Sequence, residues 1–331
     1  MQDRSENIVL ELEDLYTQLV TKMGTIRAVD GVSFRLHKAE SLGIVGESGS
    51  GKSMTALSIV RLLPRPAGRI VSGSIRLGDV ELTSRTEREM RHIRGRRIAM
   101  ILQDPQTSLN PVFTVGSQLM EALELCYGGS RGSLRDRAVQ GFRDVQLAAP
   151  EQRIDNYPHE MSGGMKQRVV GAIAISSQPE VLIADEPTTS LDVTIQAQYL
   201  RLLQDIKEKS GASLIFITHD FGIVANMCDR VAVMYAGRIV EIGPVRDLFN
   251  RPAHPYTAAL MKSVPTPERK VERLTSIEGQ PPMLWDLPVG CRFADRCPFA
   301  MARCRETYPP MRVVGNKDSD HSAACWLLED A

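Results

Sequence analysis

The sequence predicts an α/β fold with a parallel sheet, and three observations carry that prediction. Apolar runs at 41–45, 98–102, 181–184, 214–218 and 231–234 have the unbroken hydrophobicity of strands buried on both faces. Segments of helical period separate several of them, as layered α/β chains require. The run at 41–45 also leads directly into a glycine-rich stretch and then a helical pattern, which is strand, loop and helix in the order used to hold phosphate.

The elements follow in order. Apolar and alternating runs at 8–12 and 28–36 read as strands around a turn at Gly24. Apolar residues recur at helical spacing after Ser53 until Pro64 and Pro66 end the pattern. Residues 74–82, with Gly78-Asp79 inside, read as a small hairpin. Residues of about 104–177 form a helical subdomain, interrupted by Gly128-Gly129-Ser130. No internal repeat occurs. Beyond Asn250 prolines cluster and strand alternation fades, so the expected division is a nucleotide-binding domain at 1–250 and a small extension at 251–331.

Composition narrows the function. The 331 residues, 43% hydrophobic, carry 40 basic and 40 acidic side chains, so no net field draws the chain to nucleic acid or an acidic bilayer. The arginines between Arg85 and Arg97 alternate with Glu87 and Glu89 and read as a solvated helix face. Residues 1–7 lack a signal-peptide pattern, and no apolar run reaches the roughly 18 residues of a membrane span. The expectation is a soluble, cytoplasmic chain, with any membrane path supplied by other subunits.

Gly46-Glu47-Ser48-Gly49-Ser50-Gly51-Lys52-Ser53 fits G-x-x-x-x-G-K-[ST], with Met54 in the following turn. Its glycines let backbone N–H groups turn inward around phosphate oxygens. Lys52 is then expected on the β- and γ-phosphates and the Ser53 hydroxyl on Mg²⁺. The strand at 181–184 carries Asp185-Glu186 to its C-terminal end, where Asp185 suits Mg²⁺ and Glu186 suits the base that activates water. Together these residues describe a P-loop NTPase. A third segment, Met161-Ser162-Gly163-Gly164-Met165-Lys166-Gln167-Arg168, places a serine hydroxyl and two glycine amides at a helix start. Alone it would be an ordinary capped helix.

That segment resembles the signature of the ABC (ATP-binding cassette) ATPases, and its spacing before Asp185-Glu186 matches the family. The resemblance, which spans about residues 8–250, implies an ABC ATPase core with an antiparallel β-subdomain and a helical subdomain. It implies that Ser162, Gly163, Gly164 and Met165 complete the ATP site of an opposite subunit. It also implies a Q-loop at Gln103 that touches Mg²⁺ together with Ser53 and Asp185. Ser190, Leu191 and Asp192 match the D-loop at a dimer interface, and His219 matches the switch histidine that meets the γ-phosphate. One landmark departs: the position of the adenine-stacking aromatic falls on Leu19, and the nearest aromatic, Tyr16, is three residues away, on the opposite face of a strand.

A narrower likeness rests on Gly163-Gly164-Met165-Lys166-Gln167-Arg168, Asp185 through Val193, and His254-Pro255-Tyr256. These resemble the ATPase subunits of oligopeptide/dipeptide importers, of the type that pairs with a second, non-identical ATPase. The family then implies ATP hydrolysis driving a translocase, two transmembrane permease subunits and a substrate-binding protein. It also implies a peripheral place on the cytoplasmic face of the membrane, and no nucleic acid. Cys291, Cys297, Cys304 and Cys325 have the spacing C-x5-C-x6-C-x20-C, which lacks the tight pairs of structural zinc sites. Four thiols and a Cys297-Pro298 pair suit a [4Fe–4S] cluster, with Zn²⁺ or free thiols as alternatives and His321 as a substitute ligand. The family's extension resembles an iron–sulfur site. Cys126 and Cys228 read as buried small residues. Two rival classes are a soluble ABC ATPase of translation or DNA repair and an iron–sulfur sensor not coupled to transport. The first usually has two cassettes or a coiled coil, and the second would not need Lys52, Asp185, Glu186 and His219 together.

Overall fold

The structure, a computed structural model, describes residues 7–103, 108–189, 192–263, 277–316 and 319–329. The chain divides into two compact units: Met1–Val9, His37–Glu40 and Arg85–Ile215 form the first, and Leu10–Leu36, Ser41–Ser84 and Phe216–Ala331 the second. Its strands in chain order are β1 Ile8–Thr21, β2 Gly24–His37, β3 Ser41–Val45, β4 Gly68–Leu77, β5 Val80–Glu81 and β6 Ile98–Ile101. They continue with β7 Val181–Asp185, β8 Ser213–Thr218, β9 Arg230–Tyr235, β10 Arg238–Pro244, β11 Arg312–Val313 and β12 Ser322–Ala323. The chain passes from the first unit to the second inside β8.

In the first unit the strand order is β8-β7-β6, with β6 and β7 parallel from Ile98↔Val181 to Ile101↔Ala184. Every residue of β7 is buried, as its unbroken apolar run requires. The helices Val115–Tyr127, Arg131–Asp144 and Gly163–Ile175 pack on one another and bury Leu119, Leu123, Leu134, Phe142 and Val169. Thr114, Ser130 and Ser162 cap them, each accepting a backbone N–H of its own first turn. In the arginine-rich stretch, the helix Glu87–Ile93 begins with a Thr86/Glu89 capping box. Arg85, Arg94 and Arg97 are ion-paired with Glu89, Glu87 and Glu180. No helix among the described residues is long and apolar enough to cross a membrane.

The second unit has two layers. One is the sheet β2-β1-β4-β5, antiparallel at β1–β4 and β4–β5, in which Gly78-Asp79 turns the chain so that Leu77 faces Val80. The other has the order β11-β12-β10-β9-β3-β8, with β3 and β9 parallel and both almost wholly buried. The helix Lys52–Ile59 ends before Pro64, because Arg61 turns into the left-handed region at φ 53°.

The region beyond Asn250 joins this unit's core. The strand β12 adds to β10 through Glu241↔Ala323 and Ile242↔Ser322, and β11 adds to β12. Two-residue strands are too short to show alternation, so the sequence gives no sign of them. Tyr256 and Phe293 are fully buried in one apolar cluster with Val45, Val233 and Tyr235. Each such side chain contributes about 2–3 kcal/mol of burial.

Glu241, wholly buried, fixes the start of this extension. Its two carboxylate oxygens accept the N–H groups of Ala253 (2.8 Å) and His254 (2.8 Å), and Oε1 also meets His321 Nε2 at 2.7 Å. His254 Nδ1 in turn accepts the Tyr256 N–H at 3.0 Å, so this ring is held in its neutral form. Burial pushes the His254 pKa down to about 4, against a partial opposing pull from Glu241. The unfolded chain therefore takes up a proton between about pH 6.5 and pH 4 that the folded chain refuses. Stability is full above that window and falls as pH drops through it, by up to about 3 kcal/mol. Urea midpoints measured from pH 7 to pH 4 should fall more steeply for the native chain than for His254→Asn. Parallel curves would assign the pH dependence to other groups.

Candidate nucleotide-binding site

The phosphate loop follows β3 and is shaped by glycines that no other residue could replace. Gly46 has φ 155°, and a Cβ there would lie 2.2 Å from Met234 O; Gly51 has φ 104°, and its Cβ would lie 2.3 Å from Ala28 O. The backbone thus runs in contact with β9 and β2, and only glycine permits that approach. Gly49, at φ 77°, meets nothing within 4 Å. Gly51 is also the N-cap of the helix Lys52–Ile59, so the amides of the helix start face the loop. The Gly237 N–H donates to Ser50 O at 2.8 Å, tying the loop to the β9–β10 turn.

Lys52 is buried with its ammonium inside the loop, donating to Gly46 O at 2.8 Å and Glu47 O at 3.0 Å. Those carbonyls hold the charge where phosphate oxygens would compete for it. Ser48, Gly49 and Ser50 complete the loop, and Ser53 and Met54 lie in the first turn of the helix Lys52–Ile59. His219 lies just past β8, exposed, and Asp220 beside it caps the next helix by accepting from Gly222 N at 2.7 Å.

The first unit carries the acidic residues and the signature. Asp185 ends β7 almost fully buried, and Glu186 follows in the left-handed region at φ 43°. A non-glycine residue there stores on the order of 1–3 kcal/mol of strain, as residues at functional turns often do. Glu186 Oε2 accepts from Gln103 Nε2 at 3.0 Å and from Thr189 Oγ1 at 3.1 Å, so two predicted site residues touch directly. Ser162 is the N-cap of the helix Gly163–Ile175, its Oγ accepting from Met165 N at 3.4 Å. A Cβ on Gly163 would meet nothing within 4 Å, so this helix start is open, whereas at Gly164 it would crowd Ile195. Gln167, two residues beyond Met165, is buried and donates to Pro187 O at 2.6 Å, linking the signature helix to the loop after Glu186. Asp192 caps the helix Val193–Ser210 through Ile195 N, while Ser190 and Leu191 of the expected D-loop lie outside the described residues. Leu19 is half-buried and pairs with Gly68, and Tyr16 lies against Gly31.

Sequence reasoning missed one part of the site. The guanidinium of Arg296 grips the Glu47 carboxylate through Nη1–Oε2 at 2.7 Å and Nη2–Oε1 at 3.0 Å, across 249 residues of chain. The Tyr256 hydroxyl accepts the Glu47 N–H at 3.0 Å. Nothing local marks either partner, and only the glycine crowding of the loop hints at a close neighbour.

The four clustered cysteines, Cys291, Cys297, Cys304 and Cys325, line one cavity of about 20 Å³ together with Trp326 and Phe293. All are free. Burial pushes the Cys291 thiol up to about 11 and raises Cys297 and Cys325 as well. Among the described residues no three His, Cys, Asp or Glu side chains are placed to hold a metal ion. The expected ligands therefore share a cavity without the geometry of a metal site. His321, the expected substitute, instead has Nε2 on Glu241.

A phosphate loop between a buried strand and a helix, an Asp-Glu pair at a second strand end, and a capped signature helix define an ATP-binding cassette. The comparisons with known proteins agree. A family model described as ABC transporter matches residues 29–189, and one described as oligopeptide/dipeptide transporter, C-terminal region, matches residues 240–304. A probable peptide ABC transporter ATP-binding protein of Sinorhizobium fredii is 52% identical over 97% of this chain and 95% of its own. A dipeptide transport ATP-binding protein of Bacillus subtilis is 47% identical over the same shares. Among solved structures, a dimeric ATP-binding cassette bound to ADP and Pi aligns with TM-score 0.64 and 25% identity over 72% of this chain and 99% of that one. The chain belongs to the ATP-binding subunits of the oligopeptide/dipeptide ABC transporters, and it is an ATPase.

The loop geometry predicts unequal glycines. Gly51→Ala should lower affinity for a fluorescent ATP analogue at least about tenfold, because the Ala28 carbonyl must move. Gly49→Ala, strained but uncrowded, should cost only about 1 kcal/mol of stability in urea titration. Equal effects at the two positions would mean that crowding is not what shapes the loop.

Proposed function

We propose that this subunit drives the import of di- or oligopeptides, working on the cytoplasmic face of the membrane with a second, non-identical ATPase, two permease subunits and a substrate-binding protein. The observation that carries the reading is the presence in one chain of a phosphate loop and a second, open helix start at Ser162-Gly163. The first needs a nucleotide, and the second offers a hydroxyl and amides to a nucleotide held elsewhere. Two cassettes arranged head to tail would satisfy both, so that Lys52 and Ser162 serve different ATP molecules. The oxygen donors of Ser53, Gln103 and Asp185 suit Mg²⁺, which neutralises phosphate charge when bound. Lys52 holds the β- and γ-phosphates, His219 contacts the γ-phosphate and Asp192 borders the partner. Glu186 takes the proton of the attacking water. Binding would close the pair and release peptide inward, and hydrolysis would reset it. The whole-chain likeness to peptide-transport subunits supports the substrate class.

Glu186→Gln tests the assignment. In the assembled transporter, ATP turnover should fall at least about a hundredfold, the usual loss for a general base, with ATP affinity kept within about threefold. Unchanged turnover would sink the role of Glu186.

For the extension we propose an iron–sulfur cluster held by Cys291, Cys297, Cys304 and Cys325. The number and type of the thiols and their shared cavity support it, and since no three of them are placed as metal ligands, they must draw together to hold a cluster. The buried thiols must lose their protons to bind iron, so loading is expected to release protons. Chain purified without oxygen should be brown and contain iron, and Cys297→Ser should lose both while ATPase activity persists. Colourless, iron-free protein would leave the thiols as packing groups.

A further inference from the structure

Glu47 is the one acidic side chain within the phosphate loop, and a bare carboxylate beside a polyphosphate would repel it. The structure holds this residue from three sides, and one of them meets the carboxylate. The Glu47 carbonyl accepts from Lys52 Nζ, its N–H donates to the Tyr256 hydroxyl, and its carboxylate is gripped at both oxygens by Arg296.

Arg296 itself is fully committed. Its Nε donates to Glu278 O at 3.0 Å, Nη1 also to Tyr235 Oη at 3.1 Å, and Nη2 also to Ile277 O at 3.3 Å, so every N–H direction of the fork is used. The side chain is 5% exposed and sits beside the rings of Tyr235 and Phe293. Gly279, at φ 79°, lets the chain pass close to Arg296 Cγ. A two-point bond between planar groups fixes direction as well as charge, which a lysine cannot do.

We propose that Arg296, supplied by the extension, is a positioning residue for ATP: it neutralises Glu47 and holds the second residue of the phosphate loop in its phosphate-receiving shape. The proposal rests on the reading of residues 46–53 as the ATP site. Lys52→Ala tests that reading separately, since retained ATP binding in that variant would refute the site and not the Arg296–Glu47 pair.

A merely structural Arg296 would lower stability and affect all nucleotides alike. A charge-positioning Arg296 acts in proportion to phosphate. In the full chain, Arg296→Gln should weaken ATP binding about tenfold, the worth of a charge-assisted hydrogen bond, ADP less and AMP least. In the assembled transporter the KM for ATP should rise by a similar factor, with kcat within about threefold. Adding Glu47→Gln to Arg296→Gln should recover most of the lost affinity, because the unpaired charge is then gone. Equal losses for ATP, ADP and AMP, or a double variant no better than Arg296→Gln, would overturn the proposal. Should Arg296→Gln not fold, Arg296→Lys keeps the charge without the fork. Its KM for ATP should rise about threefold and return towards the native value with Glu47→Gln. An unchanged KM in that variant also overturns the proposal.

Discussion

The constraint on which this unit depends is the close passage of the phosphate loop over its neighbouring strands. At Gly46 and Gly51 the backbone lies so near Met234 O and Ala28 O that a single methyl group has no room. The loop cannot relax outward either. Ser50 O accepts from Gly237, whose own carbonyl accepts from Asp30, and the Asp30 carboxylate is paired with Arg238 at 2.8 Å and with Arg292. Burial alone would raise the Asp30 carboxyl, but the two arginines outweigh it and hold it below the usual range. The loop is thus one face of a packed polar network whose members come from β2, the β9–β10 turn and the extension.

That network explains why the extension is bound into the unit instead of hanging from it. Two of its arginines reach the loop by separate routes, Arg292 through Asp30 and Arg296 through Glu47. Both lie in the stretch between Cys291 and Cys297. Beside them, Tyr235, Tyr256 and Phe293 pack in tilted and edge-on pairs at 4.5–5.4 Å between ring centroids, so the polar grips adjoin an aromatic cluster. Any ligand that rearranged the small cysteine-lined cavity would act on a segment that also carries both grips.

Much of the site was legible because its chemistry is local. Glycines that must adopt positive φ, a lysine one residue past Gly51 and an Asp-Glu pair ending an apolar strand all announce themselves within a few positions. The strand runs at 41–45 and 181–184 were legible for the same reason, being buried on both faces. What stayed hidden depends on distance along the chain. Arg296 reads as an ordinary arginine until Glu47 is seen beside it, and β11 and β12 are too short for any period. The helix after Ser53 stopped short of Pro64 because one left-handed residue, Arg61, breaks it first, a signal that no residue type declares. The cysteines were found by spacing, but spacing could not say that they line one small cavity with Trp326 and Phe293.

The same locality bears on the proposed base. A carboxylate that accepts charge-assisted hydrogen bonds is held in direction by its donors. Glu186 Oε2 receives two, from Gln103 and from Thr189, on a backbone held at φ 43°. Strain at the backbone and the two donors together fix where the carboxylate points. Gln103 is also one of the oxygen-bearing groups proposed for Mg²⁺, and a side chain turned towards a cation with its oxygen cannot keep its amide on Glu186 in the same orientation. One carboxamide thus links the direction of the Glu186 carboxylate to the proposed metal site, because Gln103 cannot serve both from one orientation.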